Sequence, residues 1–217
     1  AVPERKVAGF FAAVVASLVL PTLVFGCLPF SLCLTVAVLF FALLSLLKIR
    51  DIKRSAGETG LFLLGILYLP LLMSYLVLLR GMDHGVQWIF ILLIIVMSGD
   101  TAAFYVGSSI GRRKLYPIVS PNKSVEGMFG GLAGSVVGAI ISAATFFPEL
   151  TFGHAVVTAV LVGFLGQLGD LFESLLKRSF GVKDSGKLFP GHGGVLDRLD
   201  SVLFAAPTLY FYARYLM

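Results

Sequence analysis

SLLKRSFGVKDSGKLFPGHGGVLDRLD, residues Ser174–Asp200, is a densely polar run inside a chain that is otherwise apolar. Lys177, Arg178, Lys183, Asp184, Lys187, Asp197, Arg198 and Asp200 fall within it, and His192 stands among its glycines. Apolar stretches flank it, GFLGQLGDLF on one side and SVLFAAPTLYFY on the other. Charge is costly at a bilayer, and where it persists it marks function. The run therefore bears on fold and chemistry together. Its flanks read as membrane helices, and the loop between them reads as a surface for phosphates.

Composition extends that reading to the whole chain. Of 217 residues, 58% are hydrophobic and only 13% are charged, with a mean hydropathy of +0.95. Soluble domains carry about 25% charged residues. The chain is thus expected to be an all-α integral membrane protein, one polytopic bundle. Seven segments approach the ~20 residues that a span requires: 7–26, 27–47, 59–79, 86–107, 127–147, 153–176 and 195–216. The first two are separated only by the Gly26–Pro29 region and read as a tight helical hairpin. Cys27 and Cys33, six apart, do not share a helix face, so they are expected to pack rather than to pair. Val7–Gly26 is too long for the apolar part of a signal peptide and lacks a cleavage site. The chain begins with Ala1, and the expectation is a fragment with earlier helices missing. Residues 1–97 read as N-terminal scaffold helices, and 98–217 as a catalytic membrane region with polar cytoplasmic loops.

Orientation follows from the basic residues. With the N-terminus in the cytoplasm, fifteen of the seventeen Lys and Arg lie inside, leaving only Arg80 and Arg214 outside. That asymmetry is the expected bias of a membrane protein. It places the polar run at the cytoplasmic face of the cytoplasmic membrane, where nucleotides are. The net charge of +5 suits contact with anionic membrane lipids. Nucleic acid is excluded as a partner, because the basic residues are divided among loops without a stacking platform.

Acids lie where apolar helices should exclude them. Asp100 sits in IIVMSGDTAAFYVG; Asp170 and Glu173 precede the polar run; Asp197 and Asp200 close it. Each of the last two pairs is spaced i, i+3 and shares a helix face. In alternating topology all five acids approach the cytoplasmic side and could meet in one cavity. Carboxylates gathered in low dielectric repel unless a cation joins them. Hard oxygens near phosphates suit Mg2+, and without a Cys/His cluster zinc is disfavoured. For Glu173 the competing reading is a structural ion pair with Lys177 at i, i+4. Asp170 and Asp197 have no such local partner.

The loop glycines after Pro190 cannot be helical, and they bring backbone N–H groups to the start of the last helix, a place that favours phosphate. Lys177, Arg178, Lys183 and Lys187 add the charge a polyphosphate needs. The spacing matches neither the Walker nor the dinucleotide fingerprint. His192 is open between ligand contact and no chemical role. Between Ser98 and Gly127, Gly107 and Gly111 are spaced for close helix packing. Arg112–Lys114 can serve as a positive-inside anchor. Pro121, Asn122, Lys123 and Glu126 read as a turn and a helix start, with Ser124 a weak capping signal and Lys123 a phosphate contact.

The run Ser174–Asp200 resembles the signature of the phosphatidate cytidylyltransferases, also called CDP-diacylglycerol synthases. Asp100–Thr101, Gly107, Gly111, Ser120–Pro121, Lys123 and Glu126–Gly127 are similar to that family's upstream pattern. The resemblance covers about residues 98–201. It implies reaction of CTP with phosphatidate to give CDP-diacylglycerol and pyrophosphate, with Mg2+, a second cation left open, and a homodimer. It implies Asp170, Asp197, Lys177 and Asp200 in catalysis, with Asp170 and Asp197 holding metal and Glu173 or Asp200 as further ligands. Lys177, Arg178 and Lys183 would bind phosphate, and Asp184 would orient Lys183 or reach the ribose. Lys123, Asp100, His192 and Arg198 would complete the substrate pocket. The small residues of GGLAGSVVGA, 130–139, are expected to let helices separate into a cleft for lipid tails. Two other readings remain: a CTP-dependent transferase acting on an isoprenoid ether phosphatidate or polyprenol, and a cation-coupled transporter.

Overall fold

A computed structural model describes residues 67–186 and 194–217, together with 35, 38, 39, 43, 57, 60, 61 and 63–65. All but four residues of the expected hairpin over 7–47, both cysteines, Lys187 and His192 lie outside the described residues. The chain divides into two units, Ala1–Val77 and Leu78–Met217. Leu67–Leu71, in the first, forms a π-helical turn around Pro70 and continues into α1, Leu72–Arg80, whose last three residues fall in the second. Proline removes an N–H from the helical ladder, and a widened turn accommodates the loss.

The second unit holds the rest. A turn at Gly81–His84 leads to α2, Gly85–Ile110. A short hairpin follows, β1 (Lys114–Tyr116) against β2 (Ser120–Ser124), antiparallel with Lys114 opposite Ser124. Then come α3 (Val125–Thr145), α4 (Phe152–Ser179) and α5 (Leu196–Tyr215). Among the described residues four helices are long and apolar enough to cross a membrane: Leu63–Arg80, Gly85–Ile110, Val125–Thr145 and Phe152–Ser179. The predominantly helical, membrane-spanning class is therefore as expected. α5 falls short of that standard because Asp197, Arg198 and Asp200 occupy its first turns and tyrosines its last.

α2 and α3 pack through a seam of small residues. A Cβ at Gly130 would stand 2.6 Å from Val106, and one at Gly134 would stand 2.7 Å from the Ser98 carbonyl oxygen and strike the Ala102 methyl. A Cβ at Gly138 would strike the Ser98 hydroxyl. Segment 130–139 thus seats a tight contact with α2, which closes the expected lipid cleft on that side, while Ala133 and Val137 stay exposed on the other. The small side chains let backbones approach, and dispersion then favours closure over separation. Ser135 crosses the seam, donating to the Ile95 carbonyl at 2.9 Å.

The β1–β2 hairpin is a second departure. Pro121–Lys123 reads as turn chemistry, yet the turn falls at 117–119 and Pro121 lies on a strand. A two-stranded ribbon is all edge, and an edge tolerates the missing proline N–H. The capping expectation holds: the Ser124 hydroxyl accepts from the Gly127 N–H at 3.1 Å. Glu126 reaches back to accept from the N–H groups of Arg112, at 3.1 Å, and Arg113, at 3.2 Å.

Candidate active site

The acids converge where α4 ends and α5 begins. Glu173 and Lys177 are one turn apart on α4, and the Lys177 ammonium pairs with Glu173 Oε2. The same ammonium donates to Asp197 Oδ1 on α5 at 2.7 Å. Glu173 is fully buried, and its other oxygen has no hydrogen-bond donor. The i, i+4 pair foreseen for Glu173 therefore forms, and it extends to an acid twenty residues away.

Asp197 has a second task. Its Oδ2 accepts from the Ser185 N–H at 2.9 Å, the Ser185 hydroxyl at 2.8 Å and the Gly194 N–H at 2.6 Å. The Ser185 hydroxyl in turn receives the Asp197 N–H at 3.3 Å. Ser185–Gly186 and Gly194 are thereby drawn together: a Cβ at Gly194 would stand 2.7 Å from the Gly186 nitrogen. One carboxylate pins both ends of the loop that carries the glycines. Sequence reasoning missed Ser185; its hydroxyl, one residue after Asp184, was the available signal.

A parallel pair lies beside this one. Lys123, carried on β2, meets Asp170 Oδ2 at 2.5 Å. Asp170 and Asp197 have no local partner, as the spacing indicates, yet each finds a basic one. Both partners are distant in the chain and invisible to local spacing. Asp200 Oδ1 accepts from the Ser201 N–H at 2.7 Å. Asp200 lies within electrostatic reach of Asp170, Glu173 and Asp100, and Asp100 within reach of Asp170 and Lys123. Asp100 also lines a small cavity with Gly99, Ser135, Gln167 and Ser201. Gln167 closes one side by donating to the Met128 carbonyl at 3.2 Å.

The remaining candidates are more peripheral. Arg178 donates to the Val119 carbonyl at 3.4 Å, which joins the end of α4 to the hairpin turn. Lys183 and Asp184 are exposed in the segment leaving α4, and Arg198 is exposed on the first turn of α5. Among the described residues no group of three His, Cys, Asp or Glu side chains is arranged to hold a metal ion. The arrangement is five carboxylates interleaved with two ammonium groups at one end of the bundle. Shifting either lysine from its carboxylate to a phosphate leaves that carboxylate unpaired, so such a cluster accepts phosphate at low cost only with a further cation beside the acids.

A sequence profile described as the cytidylyltransferase family matches residues 2–216. A phosphatidate cytidylyltransferase of Bacillus subtilis is 40% identical over 175 residues, covering 79% of this chain and 65% of that protein. One from Staphylococcus saprophyticus is 37% identical over 169 residues, 78% of this chain and 64% of its own length. The uncharacterised Escherichia coli protein YnbB is 43% identical over 135 residues, 62% of this chain and 45% of its own. The chain thus spans just under two thirds of the length of the two named enzymes.

Proposed function

The chain belongs to the cytidylyltransferase family, and from that premise we propose that it transfers CMP from CTP to phosphatidate, giving CDP-diacylglycerol and pyrophosphate. A phosphate oxygen of phosphatidate attacks the α-phosphorus of CTP. The bond from that phosphorus to the oxygen bridging the β-phosphorus breaks, and its electron pair leaves with pyrophosphate. The nucleophile is already an anion, so no strong general base is needed. The work left to the protein is positioning and charge neutralisation.

The observation that carries this reading is the Lys177 ammonium shared between buried Glu173 and Asp197, with Lys123 on Asp170 beside it. Lys123 and Lys177 present cations to incoming phosphates. Asp197 holds the loop whose flanking Lys183 and Asp184 face the solvent from which CTP arrives. Arg178, Arg198 and His192 belong to the same mouth in this proposal, and Asp100 and Asp200 to its floor.

Mg2+ is part of the proposal. It is commonly held by one or two carboxylates plus substrate phosphates, so it asks of the protein only a pair of acids. The undonated Glu173 oxygen and the excess of carboxylates over lysine ammonium groups supply hard oxygen. Asp170 and Asp197 would hold the ion with Glu173 behind them, Asp197 giving up donors that otherwise occupy both its oxygens, and the ion would neutralise phosphate charge. A second cation remains open. Seven spans, a cytoplasmic N-terminus, a site facing the cytoplasm and a homodimer complete the reading, supported by the charge asymmetry and the family resemblance.

The test is release of labelled pyrophosphate from CTP by the detergent-purified protein, with phosphatidate, its ether and isoprenoid analogues, or polyprenol as acceptor. Phosphatidate is expected to be the productive acceptor. Asp197→Asn should lower turnover by about 100-fold or more, the scale of losing one preorganised electrostatic group. Near-normal turnover of that variant at saturating Mg2+ would overturn the assignment. Substrate movement across sealed vesicles without pyrophosphate release would replace the enzyme by a carrier.

A further inference from the structure

The β1–β2 hairpin carries a combination that the catalytic reading does not use. Ile118, at its turn, is 86% exposed, and Tyr116 beside it is exposed as well. Pro117 completes an apolar tip. Arg112 and Arg113 directly before the strand and Lys114 at its start are three consecutive exposed cations. No acid occurs between Asp100 and Glu126. The Glu126 carboxylate is engaged with the backbone N–H groups of Arg112 and Arg113, which fixes the base of the hairpin.

The hairpin is held in place. Its base is seated against Gly111, where a Cβ would stand 2.6 Å from the Ser124 hydroxyl. Lys123 ties β2 to Asp170, and Arg178 ties the turn to the last helical turn of α4. Both of its ends run directly into candidate spans, α2 before and α3 after. α4 has 28 residues, about 42 Å at the helical rise, close to the ~40–45 Å of a bilayer with its headgroups. A turn fastened beside the final residues of α4 therefore lies at headgroup depth. Phe180 and Val182, which follow α4 at the same end, are exposed too.

We propose that this hairpin is a membrane-interface finger. Tyr116, Pro117 and Ile118 enter the headgroup layer of the leaflet, while Arg112, Arg113 and Lys114 contact anionic lipid headgroups. The partner is the lipid surface, because apolar tip and adjacent cations together match an interface that is apolar below and anionic above. A finger fixed to Asp170 through Lys123 also holds the lipid surface in register with the acid cluster. The inference does not depend on which reaction the cluster performs.

The experiment places an environment-sensitive fluorophore at Ile118→Cys in a C27A/C33A background, with the full chain reconstituted in vesicles. Phosphatidylcholine vesicles are compared with vesicles that also contain phosphatidylglycerol. Elution as a single folded species qualifies each preparation, and the label sits on an exposed residue that folding does not need. Expected are blue-shifted emission, quenching by lipids brominated near the headgroup, protection from aqueous iodide, and an increase of all three with phosphatidylglycerol. Replacing Arg112, Arg113 and Lys114 by Gln should weaken lipid engagement by about fivefold for each charge removed. Iodide quenching that is indifferent to lipid composition would overturn the proposal. So would lipid quenching with no dependence on anionic lipid. Protection from both quenchers that rises with protein-to-lipid ratio would assign the surface to a second copy instead.

Discussion

Replacing Lys177 by Met separates the two roles its ammonium could have. Lys177 is 17% exposed, Asp197 12%, and Glu173 not at all. Met keeps the length and apolar stem of the side chain but leaves two carboxylates facing each other with no cation between them. Removing one partner from a buried ion pair costs about 3–5 kcal/mol, most of it from the charge left behind. For a chain of this size each kcal/mol moves Tm by about 2–4 °C. A fall of about 10 °C in detergent is therefore expected, together with loss of CTP-dependent turnover.

The double variant E173Q/K177M decides what that loss means. Gln at 173 removes the buried charge and leaves an amide of nearly the same shape. Most of the lost Tm should return, since replacing both members of a buried pair is far less damaging than replacing one. Turnover should not return, because Lys123 is then the one ammonium of the pair left to face the phosphates. Thermal unfolding and pyrophosphate release on the same preparations give both readouts. An unchanged Tm for K177M would refute the structural pair. Recovery of turnover in E173Q/K177M would refute a role for the ammonium beyond neutralising Glu173.

Gly134→Val should lower Tm by an amount corresponding to about 1–3 kcal/mol of overpacking, since its branched side chain meets Ala102 and the Ser98 carbonyl; Gly153→Ala, with nothing within 4 Å, should leave Tm unchanged or slightly raised. Ser124→Ala removes the cap of α3 and should cost about 1 kcal/mol, read as a small Tm decrease with turnover per folded molecule preserved.

The class of the fold was legible because it rests on composition. Long apolar runs broken by basic loops leave few alternatives to membrane helices, and α2, α3 and α4 lie close to the segments expected for them. Local spacing was equally legible: Glu173 and Lys177 pair as i, i+4 dictates, and Ser124 caps α3. What spacing could not supply was contact between distant segments. Lys123 finds Asp170 across 47 positions only because an unforeseen hairpin carries it there. The seam at 130–139 was visible as a stripe of small residues, but small residues permit either separation or close approach. The side chains opposite, Ser98, Ala102 and Val106, decide for approach.

Asp197 links the loop to the acid cluster in a way that neither spacing nor composition discloses. One of its oxygens takes the Lys177 ammonium and the other takes three donors from the two ends of the loop. The two sets compete for a single carboxylate and share its orientation. A movement of Ser185 or Gly194 therefore turns the group that positions Lys177, and a change at Lys177 is felt by the loop. Glu173 sharpens the coupling, because a fully buried carboxylate cannot turn to water when Lys177 shifts away. The charged run between α4 and α5 is thus mechanically joined to the acids of α4 through one residue. That joint couples the exposed segment carrying Lys183 and Asp184 to the acids of the helical bundle.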